Sequence, residues 1–109
     1  MITDKGILYI EPSAKVSAKP LVDELTRKMT AAFRFGKPAA RFRGCHVCAC
    51  GVWSGNCDFT LPNGEETNSL CIHYLAYHRA DIPAFQLEKV RALDSGEAEP
   101  TVDELEEPE

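Results

Sequence analysis

Apolar positions along the chain recur at two different spacings, and the change from one to the other marks out strands and helices. Residues 6–10, GILYI, are apolar from Ile7 to Ile10 and short enough for a buried strand, ended by Pro12 and a Ser/Ala/Lys linker. In PLVDELTRKMTAAF, Leu21, Leu25, Met29 and Ala32 or Phe33 return near helical spacing, with Pro20 suited to a first turn and Asp23 and Glu24 close behind it. The spacing predicts a helix over about 20–34, stopped by Gly36 and Pro38.

Residues 39–50 alternate as a strand does, with Phe42, Cys48 and Cys50 apolar or soft and Arg41 and Arg43 on the parity opposite to Phe42. NCDFTLPNGEE reads as a strand followed by a tight turn at Pro62, Asn63 and Gly64. Thr67, Asn68 and Ser69 are N-cap types ahead of an apolar run, which predicts a helix over about 68–79. Ile82-Pro83 breaks that helix, and PAFQLEKVRAL begins another, with Phe85, Leu87, Val90 and Leu93 on its buried side. DSGEAEPTVDELEEPE is acidic, poor in large apolar residues and interrupted by proline, and is expected to be a disordered tail. The sum is an α+β fold: a single small domain over 1–93, in which short strands or a hairpin bear a Cys/His cluster packed on about three helices. The acidic tail occupies 94–109.

Composition agrees with one core. The chain has 109 residues, 44% hydrophobic and 27% charged, close to soluble globular averages. The N-terminal apolar run of four is too short for a secretory h-region, and no longer run would span a bilayer, so a cytoplasmic protein without a membrane segment is expected. There the five cysteines stay reduced, and an odd number cannot all pair. The net charge of -5 hides an asymmetry. Arg27, Lys28, Arg34, Lys37, Arg41 and Arg43 lie in a stretch, Leu25 to Cys57, with no acid, whereas Asp94 to Glu109 holds acids and no base. The basic run, interleaved with Phe33, Phe35 and Phe42, resembles a nucleic-acid surface. The low pI and the acidic tail argue against nucleic acid as a partner, because the tail would repel phosphate or cover the patch itself.

The stretch that carries chemistry is GCHVCACG, residues 44–51. His46, Cys48 and Cys50 share a parity, and all three histidines of the chain fall in this segment or in HYLAYHR, as His46, His73 and His78. In a strand, residues two apart lie about 6.6 Å apart on one face, near enough to reach one ion, whereas His46 and Cys50 would be about 13 Å apart unless the chain bends. Gly44 and Gly51 permit such a bend. The simplest arrangement keeps Cys48 and Cys50, with the chain turning at Gly51. His73 and His78 are five apart, about 140° around a regular helix. They meet one metal only if the helix end loosens, as it does for paired histidines in zinc fingers. The expected Zn2+ ligands are Cys48, Cys50, His73 and His78, with His46 as the replacement if one helical histidine faces away. Cys45, Cys57 and Cys71 read as structural. Asp58, Glu65 or Glu66 are candidate partners for a metal-bound histidine.

Two other chemistries use the same residues. A zinc with an open coordination position would lower the pKa of a bound water and make the chain a metal-dependent enzyme. H-E-x-x-H and the deaminase signature are both absent. Cys45 and Cys48 have the C-x-x-C spacing of a thiol-redox pair, but a Gly-Trp-Ser-Gly loop follows where a thioredoxin-like site would begin a helix.

CHVCACG, LPNGEETNSL and HYLAYHR followed by proline, in that order, resemble a group of small uncharacterised bacterial proteins. These share an H-x-C-x-C-G segment, an L-P-N-G turn and a T-N-S-L start running into H-Y-L-A-x-H-R. The resemblance covers about residues 44–93 and falls on His46, Cys48, Cys50, Gly51, Asn68, His73, His78 and Arg79. It implies no particular activity. The expectation is a structural zinc site in an interaction module that binds another protein, with a metal-dependent enzyme as the alternative.

Overall fold

A computed structural model describes residues 6–8, 10, 12–13, 15–38, 48, 50–51, 58–68 and 70–106. The chain forms helix α1 (Glu24–Arg34), strands β1 (Lys37–Pro38), β2 (Asp58–Thr60) and β3 (Glu66–Asn68), and helix α2 (Cys71–Tyr77). A 3-10 turn (Arg79–Asp81) then leads into α3 (Ala84–Arg91) and α4 (Val102–Leu105). No helix of the described residues is long and apolar enough to cross a membrane. The fold is α+β, as the spacing predicts.

Helix α1 starts at Glu24, later than Pro20, because Asp23 is its N-cap: the carboxylate accepts from Thr26 N at 3.2 Å. The helix buries Leu25, Met29 and Ala32, as periodicity requires. Leu21 lies outside the helix and is 42% exposed. Strand β2 pairs antiparallel with both β1 and β3. The β2–β3 connection is the turn expected at Pro62-Asn63-Gly64. Gly64 N donates to Leu61 O at 2.9 Å, and Gly64 takes φ +88, which favours glycine.

The N-terminal segment departs from the strand expected over 6–10. Among the described residues, pairing shrinks to a single parallel bridge between Ile7 and Thr67. Leu8 sits at φ +61, outside the β region, and side chains replace the ladder: Leu8 N donates to Gln86 Oε1 and Leu8 O accepts from Asn68 Nδ2, both at 2.7 Å. Ile7, Leu8 and Ile10 still enter the core.

Helix α2 is shorter than expected. Asn68 belongs to β3, and its Oδ1 accepts from Leu70 N at 2.8 Å, so the helix opens only at Cys71. All of its residues are buried, as befits a central helix packed by α1 on one side and α4 on another. In α3 the buried face is shifted from the expected one. Val90 and Leu93 are buried, but Phe85 is 44% exposed while Gln86 is fully buried, because the N–H of Leu8 needs the amide of Gln86.

Residues 94–106 of the acidic segment lie against the domain. Thr101 and Glu104 form a capping box that starts α4, Arg27 Nε pairs with Glu97 at 2.9 Å and Arg34 Nη2 with Glu104 at 2.6 Å. Leu105 packs against the core. The basic face of α1 supplies the opposite charges and Leu105 the apolar anchor.

Candidate metal centre

Two elements deliver the four side chains. Cys48 and Cys50 come from a tight turn that Gly51 N closes on Cys48 O at 2.9 Å. Gly51 sits at φ +102, so the turn falls where the sequence places it. His73 lies inside α2, while His78 is its C-cap at φ -127 and ψ 30, no longer helical. That departure turns the second ring toward the first, and the imidazole centroids lie 5.0 Å apart. The loosened helix end expected for a five-residue spacing is thus present.

The Sγ of Cys48 is 3.1 Å from His78 Nε2, and the Sγ of Cys50 is 3.4 Å from His73 Nε2. All four donor atoms lie within 4.8 Å of one another. A tetrahedral ion at ordinary Zn–S and Zn–N distances separates its donors by about 3.3–3.8 Å, so the set needs only a small contraction to close on one ion. Cys48, Cys50, His73 and His78 therefore lie close enough to hold a metal ion. His46, Cys45, Cys57 and the loop Trp53, Ser54 and Asn56 are outside the described residues, as are Arg41, Phe42 and Arg43.

The surroundings are dry and aromatic. Cys48 is 2% exposed, His73 0% and His78 2%; Cys50 alone is part-exposed. Tyr77 and Tyr74 stand beside His73, with ring centroids at 5.4 and 6.0 Å, and Tyr74 also stands beside His78 at 6.2 Å. Burial pushes the His73 pKa down to about 4, with the neighbouring His78 adding to the effect. His78 is lowered as well, chiefly by burial, while Asp81 and the Lys15 backbone act in the opposite direction. Both rings are thus neutral at pH 7, the form that binds a metal.

The outer contacts of the two rings differ. His73 Nδ1 donates to Leu105 O at 3.2 Å, which leaves Nε2 with its lone pair turned to Cys50. His78 Nδ1 is buried without a hydrogen bond among the described residues, and Asp81 Oδ2 stands 3.9 Å away. The acids singled out beforehand, Glu65 and Glu66, do not join the cluster, and the side chain of Asp58 is outside the described set. Asp81, three residues after His78, is an acid beside that ring, beyond hydrogen-bond distance, which sequence reasoning did not single out although its spacing was available. Leu105 contributes a carbonyl, which no residue type announces.

The remaining described cysteine is structural. Cys71 is fully buried at the start of α2, and desolvation pushes its thiol up to about 12. No family model, no curated protein and no solved structure matches the chain.

Proposed function

We propose that this chain is a small zinc protein in which Cys48, Cys50, His73 and His78 hold a structural Zn2+ that pins the 48–51 turn to α2. The observation that carries the reading is the convergence of two thiols and two imidazole nitrogens, all within 4.8 Å, from two separate elements. A mixed S2N2 set within reach of one ion suits zinc, whereas oxygen-preferring ions are poorly matched by it. Four protein donors leave no coordination position for water, which favours a structural role over a catalytic one.

The chain's own residues would do the following work. His73 and His78 stay neutral because they are buried; Leu105 O fixes the proton of His73 on Nδ1; Tyr74 and Tyr77 exclude water from the rings. When bound, the metal would add cross-linking energy to a domain whose core is small, coupling binding to folding. On this reading the module works in the cytoplasm by docking to another protein, and it belongs with the small bacterial proteins whose motif it shares.

Metal content of the purified wild type, beside Cys48→Ser and His73→Ala, tests the proposal. About one zinc per chain in the wild type and little in either variant is expected, and less than ~0.1 metal per chain after metal-replete purification overturns it.

A further inference from the structure

The acidic segment 94–106 has a contact that its charge does not require: the carbonyl of Leu105 accepts from His73 Nδ1 at 3.2 Å. A carbonyl can only accept, so this bond places the proton on Nδ1 and aims the Nε2 lone pair at Cys50 Sγ, 3.4 Å away. The segment is also strapped to α1. Arg34 makes a forked pair with Glu104, Nε to Oε2 at 2.9 Å and Nη2 to Oε1 at 2.6 Å, and Nη2 also reaches Glu99 O at 2.7 Å. Arg27 Nε holds Glu97 Oε1 at 2.9 Å, while Ala98 N donates to Arg27 O at 3.1 Å.

These holds are individually weak. The Arg27–Glu97 and Arg34–Glu104 side chains are 33%/45% and 42%/19% exposed, so solvent screens them. Helix α4 has only four residues and cannot persist alone. The order of the strap thus depends on its docking. That docking ends on the ring that would bind the metal.

Resting on the metal-centre reading, we infer that residues 94–106 form a regulatory strap whose docking on Arg27 and Arg34 and whose bond to His73 raise the metal affinity of the Cys48/Cys50/His73/His78 site. By linkage, metal binding tightens the strap by the same factor. Anything that competes for the two arginines loosens the metal centre without touching a ligand.

Two measurements on the full chain test this. The first is zinc affinity, by competition with a chromophoric chelator, for wild type, Arg34→Glu, Arg34→Lys and Arg91→Glu. Among the described residues the guanidinium of Arg91 pairs with Glu88 on α3, outside the strap, and Arg91 serves as the control. Loss of an outer contact of this kind weakens metal binding about tenfold, so Arg34→Glu is expected to fall by that factor, Arg34→Lys by less, and Arg91→Glu to stay within about twofold. The second is the rate at which a Glu-specific protease cleaves within 97–106, with and without zinc; zinc is expected to slow it by about fivefold or more. If Arg34→Glu keeps one zinc per chain at an affinity within about twofold of wild type, the strap has no hold on the site while the metal-centre reading stands. If the wild type binds no zinc at all, both fall together.

Discussion

The backbone hydrogen bond from Gly51 N to Cys48 O, 2.9 Å long, closes the turn that sets the sulfurs of Cys48 and Cys50 against His78 and His73. Gly51 needs φ +102 to make it, and among the described residues beyond its chain neighbours no atom stands within 4 Å of where a Cβ would be. Against the described residues, the barrier to a side chain is conformational and not steric. Gly51→Ala is expected to strain the turn by about 1–3 kcal/mol, or roughly one order of magnitude in zinc affinity, with all four ligands intact. Chelator competition reads this directly; an alanine variant with wild-type affinity would show that the turn relaxes freely.

Thiol reactivity separates the described cysteines by environment. Cys71, buried and pushed up to about 12, holds almost no thiolate at pH 8 and is expected to resist alkylation until the chain unfolds. Cys48 and Cys50 are expected to be protected by zinc and modified after chelation, the part-exposed Cys50 ahead of the buried Cys48. Peptide mapping after brief iodoacetamide treatment gives the order. Labelling of Cys71 as fast as Cys50 would mean that α2 opens readily.

The four clustered side chains were legible because cysteine and histidine are few and their spacing is informative: parity joined Cys48 to Cys50, and glycine at 51 marked the turn. The hairpin was legible for the same local reason, since Pro62-Asn63-Gly64 admits few conformations. What failed was long-range. GILYI reads as a strand until Leu8 turns left-handed to reach Gln86 and Asn68, residues 78 and 60 positions away. The same pairing buries Gln86 and displaces Phe85, against hydrophobicity. The tail's charge was plain, yet its partners Arg27 and Arg34 lie 70 residues away in sequence, and its bond to His73 runs through a backbone carbonyl.

Gln86 should therefore be more sensitive than its exposed neighbour. Gln86→Leu keeps the volume and gains apolar surface, but leaves the buried N–H of Leu8 without the acceptor that it holds at 2.7 Å. An unsatisfied buried donor costs about 1–3 kcal/mol, so the variant is expected to lose that much stability in urea titrations. Phe85→Gln, at a position 44% exposed, is expected to cost less than about 1 kcal/mol. The reverse ranking would contradict the side-chain-for-strand exchange at Leu8.

The last expectation concerns the clamp beside His78. Arg79 grips both oxygens of Asp23, at 2.7 and 2.8 Å, and its Nε donates to Leu75 O at 3.2 Å, so one guanidinium joins the start of α1 to the end of α2. The hydrogen bond from Arg79 holds the Asp23 carboxyl far below its ordinary value of 3.8, helped by Thr26 and opposed by partial burial. A carboxyl lowered on folding contributes stability above its unfolded pKa, and that contribution is lost as pH falls below about 4 toward the folded value. Asp23→Asn keeps an N-cap acceptor but loses the charge, so the stability gap between wild type and variant is expected to be full at pH 6 and to shrink steadily from pH 4 to pH 2. Asp23→Ala also removes the cap and is expected to cost about 1–2 kcal/mol at neutral pH, the ion pair adding little because its carboxyl side is 40% exposed. Urea midpoints across that pH range measure both. A gap between wild type and Asp23→Asn that does not change with pH would mean that Asp23 acts as a cap alone and that Arg79 is held by Thr26 and Leu75.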